Sequence, residues 1–103
     1  MGEAHIHQDI HKALGEVEHP AIATSLLELG MLRDIEVTSD GKVTLTMVLP
    51  FPNIPDNVRN TMVNSLAAAA QSAGGELTKL DLAMMNEEER EKFLIIEQQN
   101  WRG

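Results

Sequence analysis

The chain has 103 residues, 43% hydrophobic and 23% charged, with sixteen acidic side chains against eight basic ones, a formal charge of −8 and no cysteine. That length suits one domain over residues 1–103 with a modest core, and two Phe and one Trp make the core aliphatic. Such acidity repels phosphate backbones and anionic lipid, so neither nucleic acid nor membrane is an expected partner; the missing thiols exclude disulfides and any zinc or iron–sulfur site built on the chain's own cysteines.

Taken in chain order, Ile6, Ile10, Ala13, Leu14 and Val17 recur at helical spacing and predict an amphipathic helix from about His5 to Glu16, ended by Gly15 and Pro20. Ala21–Glu28 reads as a second short helical piece with Ile22, Leu26 and Leu29 inward and Gly30 as its C-cap. Leu32–Ser39 reads as a strand, with Ile35 and Val37 on one face. Ser39-Asp40-Gly41-Lys42 follows as a hairpin turn, Asp-Gly supplying the positive φ angles such turns need. In Val43–Leu49, Val43, Leu45, Met47 and Leu49 alternate with Thr44, Thr46 and Val48, the period of a strand.

Pro50, Pro52 and Pro55 then forbid further ladder pairing. Asn53 is the expected N-cap of the next helix, with Asp56 as a short capping-box partner and Pro55 tolerated in the first turn. That helix carries Val58, Met62, Leu66 and Ala70 on one stripe, widened by Val63 and Ala67, and ends at Gly74-Gly75. Leu77–Met84 is a third strand. Asn86 caps a last helix with Glu89 as its N3 partner, Glu87 and Glu88 in the first turn, and Phe93, Leu94, Ile96 and Trp101 on its apolar face. The order α-β-β-α-β-α implies an α/β (α+β) two-layer sandwich with a three-stranded sheet.

Candidate chemistry is sparse. His7 and His11 share a helical face at the spacing of a bidentate metal clip, but a solvated helix face explains them as well, and no acid supplies a third ligand there. The acidic run Glu87–Glu91 lacks the spacing and glycine of a calcium loop. The methionines read as core filler. No nucleophile–base motif and no phosphate loop occurs, so the chain is read as a non-enzyme. Met1–Gln8 has no signal-peptide core and the longest apolar run, Leu66–Ala70, is too short to span a bilayer, so a cytoplasmic location is expected.

The strand-to-helix junction, Pro50, Phe51, Pro52, Asn53, Ile54, Pro55 and Asp56, occupies a place where small α/β domains put working atoms, yet offers only Asn53 and Asp56 as polar groups. An anion at the amides of the following helix would meet Asp56, which argues against a small-anion site.

Three marks together resemble a known family: the helix ending VEHP (Val17–Pro20), the segment SLLELGMLRDIEV (Ser25–Val37) and the junction VTLTMVLPFPNIP (Val43–Pro55). The chain is similar over roughly Ile10–Trp101 to the small iron–sulfur assembly domain of SufT and PaaD proteins and of the N-terminus of Mrp/ApbC-type ATPases. The tail Met85–Trp101 is especially like the Mrp type. The resemblance implies an accessory role in building or delivering iron–sulfur clusters. It also implies Thr-x-x-x-Cys-Pro at the junction, where this chain has Pro50, Ile54 and Pro55, and Asp-Pro-Glu at the turn, where it has His19-Pro20-Ala21. An aliphatic side chain cannot ligate iron, so the cysteine's role does not carry onto Ile54.

The reading that follows is an adaptor that binds no cofactor directly and meets an iron–sulfur cluster only through a partner. Expected partners are iron–sulfur assembly proteins or a P-loop ATPase carrier. The expected interaction surface is Pro50–Asp56 with the turn at His19, Phe51 or Ile54 serving as an apolar anchor; a core-plug role for both stays open. The alternatives are a metal or cluster carrier using His or inter-subunit ligands, and a regulatory or oligomerisation domain of a Mrp-type ATPase. Free sheet edges leave a homodimer open.

Overall fold

The computed structural model describes the backbone of residues 2–100 and the side chains of residues 8–100. Its elements follow the expected order: α1 (Gly2–Gly15), β1 (Leu32–Val37), β2 (Lys42–Leu49), α2 (Asp56–Ser72), β3 (Glu76–Met84) and α3 (Glu87–Asn100). The three strands form one sheet in the order β1-β2-β3, with β1 antiparallel and β3 parallel to β2. A hairpin can join an antiparallel pair. A parallel pair needs a crossover, and α2 supplies it.

Strand β2 takes the centre because it is the most apolar, with Val43, Leu45, Met47, Val48 and Leu49 all buried. Ile10 and Leu14 of α1 and Met62, Leu66 and Ala70 of α2 join Val43, Leu45 and Met47 in one core cluster. Each such leucine, removed from water, contributes roughly 1.5–3 kcal/mol. Thr44 and Thr46 point the other way and are half-buried. Val48 belongs to their row but is fully buried, and at that end Glu89 of α3 reaches Arg33, the ladder partner of Thr46.

Both glycine stops behave as expected. At the end of α2, Gly74 turns to φ 93°, its N–H bonds Gln71 O at 3.1 Å, and the Gly75 N–H bonds Ala70 O at 2.8 Å. That is the paired closure of a left-handed C-cap. Gly30, at φ 77°, does the same after Leu26–Leu29. The last helix opens as read: Asn86 Oδ1 accepts from the Glu89 N–H at 2.8 Å while Glu89 Oε1 accepts from the Asn86 N–H at 2.9 Å.

Other expectations need correction. Ala21–Glu28 is not a helix. His19 N–H bonds Thr24 O at 3.1 Å, Leu26 N–H bonds Val17 O at 2.8 Å and Ala23 N–H bonds Asn100 O at 2.7 Å. These longer-range bonds take the amides a helix would have used. One turn survives, started by Ser25, whose Oγ accepts from the Glu28 N–H. The inward residues Ile22, Leu26 and Leu29 are nonetheless all buried. Only Gly41, not Asp40, has positive φ in the β1–β2 turn. Gly41 N–H bonds Thr38 O and Thr38 N–H bonds Lys42 O, a three-residue loop rather than a two-residue one.

Asn53 does not cap α2. The cap position is Pro55, with no side-chain hydrogen bond to the helix; the Pro55 carbonyl accepts from Val58 and Arg59, and Asp56 pairs instead with Arg59 at 2.7 Å. The methionines divide: Met31, Met47, Met62 and Met85 are core, while Met84 is 44% exposed. Trp101 and the side chains of His5 and His7 lie outside the described residues.

Candidate functional site

Parallel strands finish at the same end of a sheet, so the segments leaving β2 and β3 emerge side by side. The register pairs Leu49 with Met84, and the Met85 N–H bonds Leu49 O at 2.9 Å. The junction after β2 therefore runs alongside the start of α3. Arg90 of α3 fastens the two together. Its Nε donates to the carbonyl oxygen of buried Pro50 at 2.9 Å, and its guanidinium carbon stands 5.9 Å from the centroid of the Phe51 ring.

Beneath this clasp is a groove of about 230 Å³, lined by Phe51, Ile54, Pro55 and Val58 from the junction and α2, by Phe93 and Glu97 from α3, and by His19 and Ala21 from the turn after α1. Ile54 and Val58 are half-buried and pack against the core; Phe51 remains 38% exposed. Ile54 thus stands between the core and the groove, whereas Phe51 forms an exposed wall of it. Pro52, Asn53, Pro55 and Asp56 are exposed, and the groove is lined by neither Pro52, Asn53 nor Asp56.

His19 is drawn to the groove by the local chain. Its Nδ1 accepts from the Ala21 N–H at 3.0 Å, closing a tight turn around Pro20. An accepting Nδ1 places the ring proton of the neutral imidazole on Nε2. The site thus combines apolar walls with one imidazole, one carboxylate and the guanidinium clasp. It contains no sulfur.

His11 is exposed on α1. Among the described residues, no three His, Asp or Glu side chains gather closely enough to hold a metal ion, and no helix is long and apolar enough to cross a membrane. Among the described residues, Asp40 and Lys42 titrate away from their ordinary range, at the opposite end of β2. The Thr38 hydroxyl, hydrogen-bonded to Asp40, holds that carboxyl below the usual value, and Glu76 holds the Lys42 ammonium above it.

The structure therefore brings His19 to Phe51, Ile54 and Pro55 as the sequence suggested. It adds Arg90 and Glu97, which the sequence did not mark out, and Phe93, expected there only as part of the apolar face of the last helix. Their signal was indirect. Once β2 and β3 are parallel, the first turns of α3 must flank the junction.

Residues 7–78 match the iron–sulfur cluster assembly protein family, a span that includes His19 and the whole junction and stops short of α3. An "Fe-S protein maturation auxiliary factor" of Porphyromonas gingivalis (strain ATCC BAA-308 / W83) is 40% identical over 48 residues, which are 47% of this chain and 46% of that protein. The aligned part of the chain thus spans about half the length of that curated relative. With the family pattern extending over well over half of its residues, the chain belongs to the iron–sulfur cluster assembly protein family.

Proposed function

We propose that this chain is a non-enzymatic adaptor of iron–sulfur cluster assembly, one docking unit that grips an assembly protein at the junction groove while the cluster stays on the partner's ligands. One observation carries the reading. Ile54, at the position where the family resemblance implies a cysteine, forms part of an apolar groove with Phe51, Pro55, Phe93 and His19. An aliphatic side chain there removes a thiolate ligand but keeps the concave surface. Half-buried apolar walls around an exposed aromatic are the usual makings of an interaction anchor. With no cysteine in the chain, thiolate ligation of a cluster is left to a partner, and the acidic composition suits a cytoplasmic assembly protein.

The test is an anaerobic affinity capture from lysate of the source organism, read by mass spectrometry, with Ile54→Asp and Ile54→Val run in parallel. Circular dichroism establishes that each variant is folded. The adaptor reading expects cluster scaffold, carrier or P-loop ATPase proteins to be enriched by the native chain and by Ile54→Val, and lost with Ile54→Asp. Capture of none of these by the native chain overturns it. Stoichiometric iron or zinc on the purified native chain would instead establish the carrier alternative.

A further inference from the structure

With β2 in the centre, β1 and β3 each present one backbone edge that no described strand pairs. The two edges are built differently. On β1 the register slips between Arg33 and Glu36, where Asp34 sits at φ 55°. A bulge of this kind twists an edge away and protects it from further pairing. On β3 the slip comes near the start, at Thr78, and from Lys79 to Met84 the ladder is regular. Six consecutive residues therefore form a straight edge.

The side chains along that edge are unusual for one meant to stay bare. Leu80, Leu82 and Met84 lie on the helix-facing side, opposite Leu45, Met47 and Leu49. Those β2 residues are at most 6% exposed, but Leu82 is 50% and Met84 44% exposed. These two side chains are left open at the outer rim of the sheet. On the other side stand Lys79 and Asp81, paired with each other at 3.8 Å and both well exposed.

We propose that β3 pairs with β3 of a second copy of this chain, antiparallel about a two-fold axis at Leu80, joining the two sheets through Lys79–Asp81 of each copy, the part of the regular edge that this axis matches with itself, with Leu82 set opposite Thr78 where the other edge slips. A two-fold contact between identical edges must be antiparallel and self-complementary. Centred on Leu80, it sets Lys79 opposite Asp81 of the second copy and Asp81 opposite its Lys79. Two ion pairs result on one face. On the other, the two Leu80 side chains meet, each with a Leu82 diagonally beside it. Centring on Asp81 sets two carboxylates face to face, which is destabilising. Centring on Leu82 sets Lys79 opposite Met85 and Asp81 opposite Ala83, so neither charge gains a facing partner. A lysine on an edge strand ordinarily repels other strands. Here the aspartate two residues on converts that repulsion into selection of the same sequence in one register.

Sedimentation equilibrium of the full chain at about 0.15 M salt, where charges further apart than ~8 Å are screened, tests the proposal. It expects a reversible dimer. Lys79→Asp and Asp81→Lys each convert two attractive pairs into two repulsive ones and should raise Kd by roughly tenfold or more. An equimolar mixture of the two single variants should associate more tightly than either alone, because both facing pairs of the mixed dimer are then attractive. Leu82→Lys should also weaken the dimer. The substituted side chains are exposed, and circular dichroism confirms that the fold is kept. A native chain that stays monomeric overturns the proposal, as does a dimer indifferent to these charge reversals.

Discussion

Arg90 Nε donates a hydrogen bond to the carbonyl oxygen of Pro50, 2.9 Å away and forty residues earlier in the chain. Pro50 is buried, and among the described residues its carbonyl takes its hydrogen bond from this cationic donor. The bond ties the start of the junction to α3 and sets the distance between the two walls of the groove.

Removing that donor should therefore cost more than an ordinary surface truncation. Arg90→Ala leaves a buried acceptor with a poorer partner and should lower stability by roughly 1–3 kcal/mol, read from urea unfolding. Arg90→Lys keeps the charge but has no donor at the ε position, so it should recover only part of the loss. Full recovery would mean that charge over the Phe51 ring, rather than the bond to Pro50, holds the clasp.

The reciprocal cap of α3 offers a cleaner pair. Asn86→Ala removes the acceptor for the Glu89 N–H and should destabilise by about 1 kcal/mol. Glu89→Gln keeps an acceptor for the Asn86 N–H and gives up the exposed contact with Arg33 at 3.6 Å, worth roughly 0–1 kcal/mol, and one of three first-turn charges, worth about 0.3 kcal/mol at an exposed helix end. Urea midpoints should thus fall clearly for the first variant and barely for the second.

That cap was legible in the sequence because Asn86 and Glu89 act on each other three residues apart. The alternation along β2 and the glycine closures at Gly30 and Gly74 were legible for the same reason, since each is settled within a few residues. Ala21–Glu28 was misread where the deciding bonds are not local. The partners that unwind it are Val17, His19 and Asn100, and no propensity within the segment announces them. The groove was half legible. His19 and the junction are conspicuous in the sequence, but Phe93 and Glu97 join them only through the parallel register of β2 and β3, a tertiary fact.

A second non-local constraint falls on Gly75. A Cβ there would stand 2.6 Å from Ile10 Cδ1 and 2.9 Å from the Gly41 carbonyl oxygen, which also accepts from the Glu76 N–H at 2.9 Å. The side chain of Ile10 can turn aside, but the backbone of the hairpin cannot without breaking that bond. Gly75→Ala should cost about 1–3 kcal/mol. Adding Ile10→Val removes the nearer clash and leaves the Gly41 one, so the double variant should not regain native stability. If it does, the hairpin yields more readily than its hydrogen bond implies.

Lys42 supplies the pH-dependent prediction. Its Nζ lies 2.7 Å from Glu76 Oε1, joining the first residue of β2 to the first of β3. This hydrogen bond, and then the charge of Glu76, raise the ammonium above the ordinary lysine range. A pKa raised by folding gives stability that is fully present below the unfolded value, near ~10.4, and lost as pH rises through the folded one. Native protein should accordingly exceed Lys42→Met in urea midpoint at neutral pH and converge on it in the alkaline limb. Both partners are largely exposed, with side chains 47% and 65% accessible, so salt should also close the gap at neutral pH. Glu76→Gln should show the same convergence, because it removes the other half of the pair. A difference that persists through the alkaline limb and at high salt would locate the effect in the packing of the lysine stem rather than in its charge.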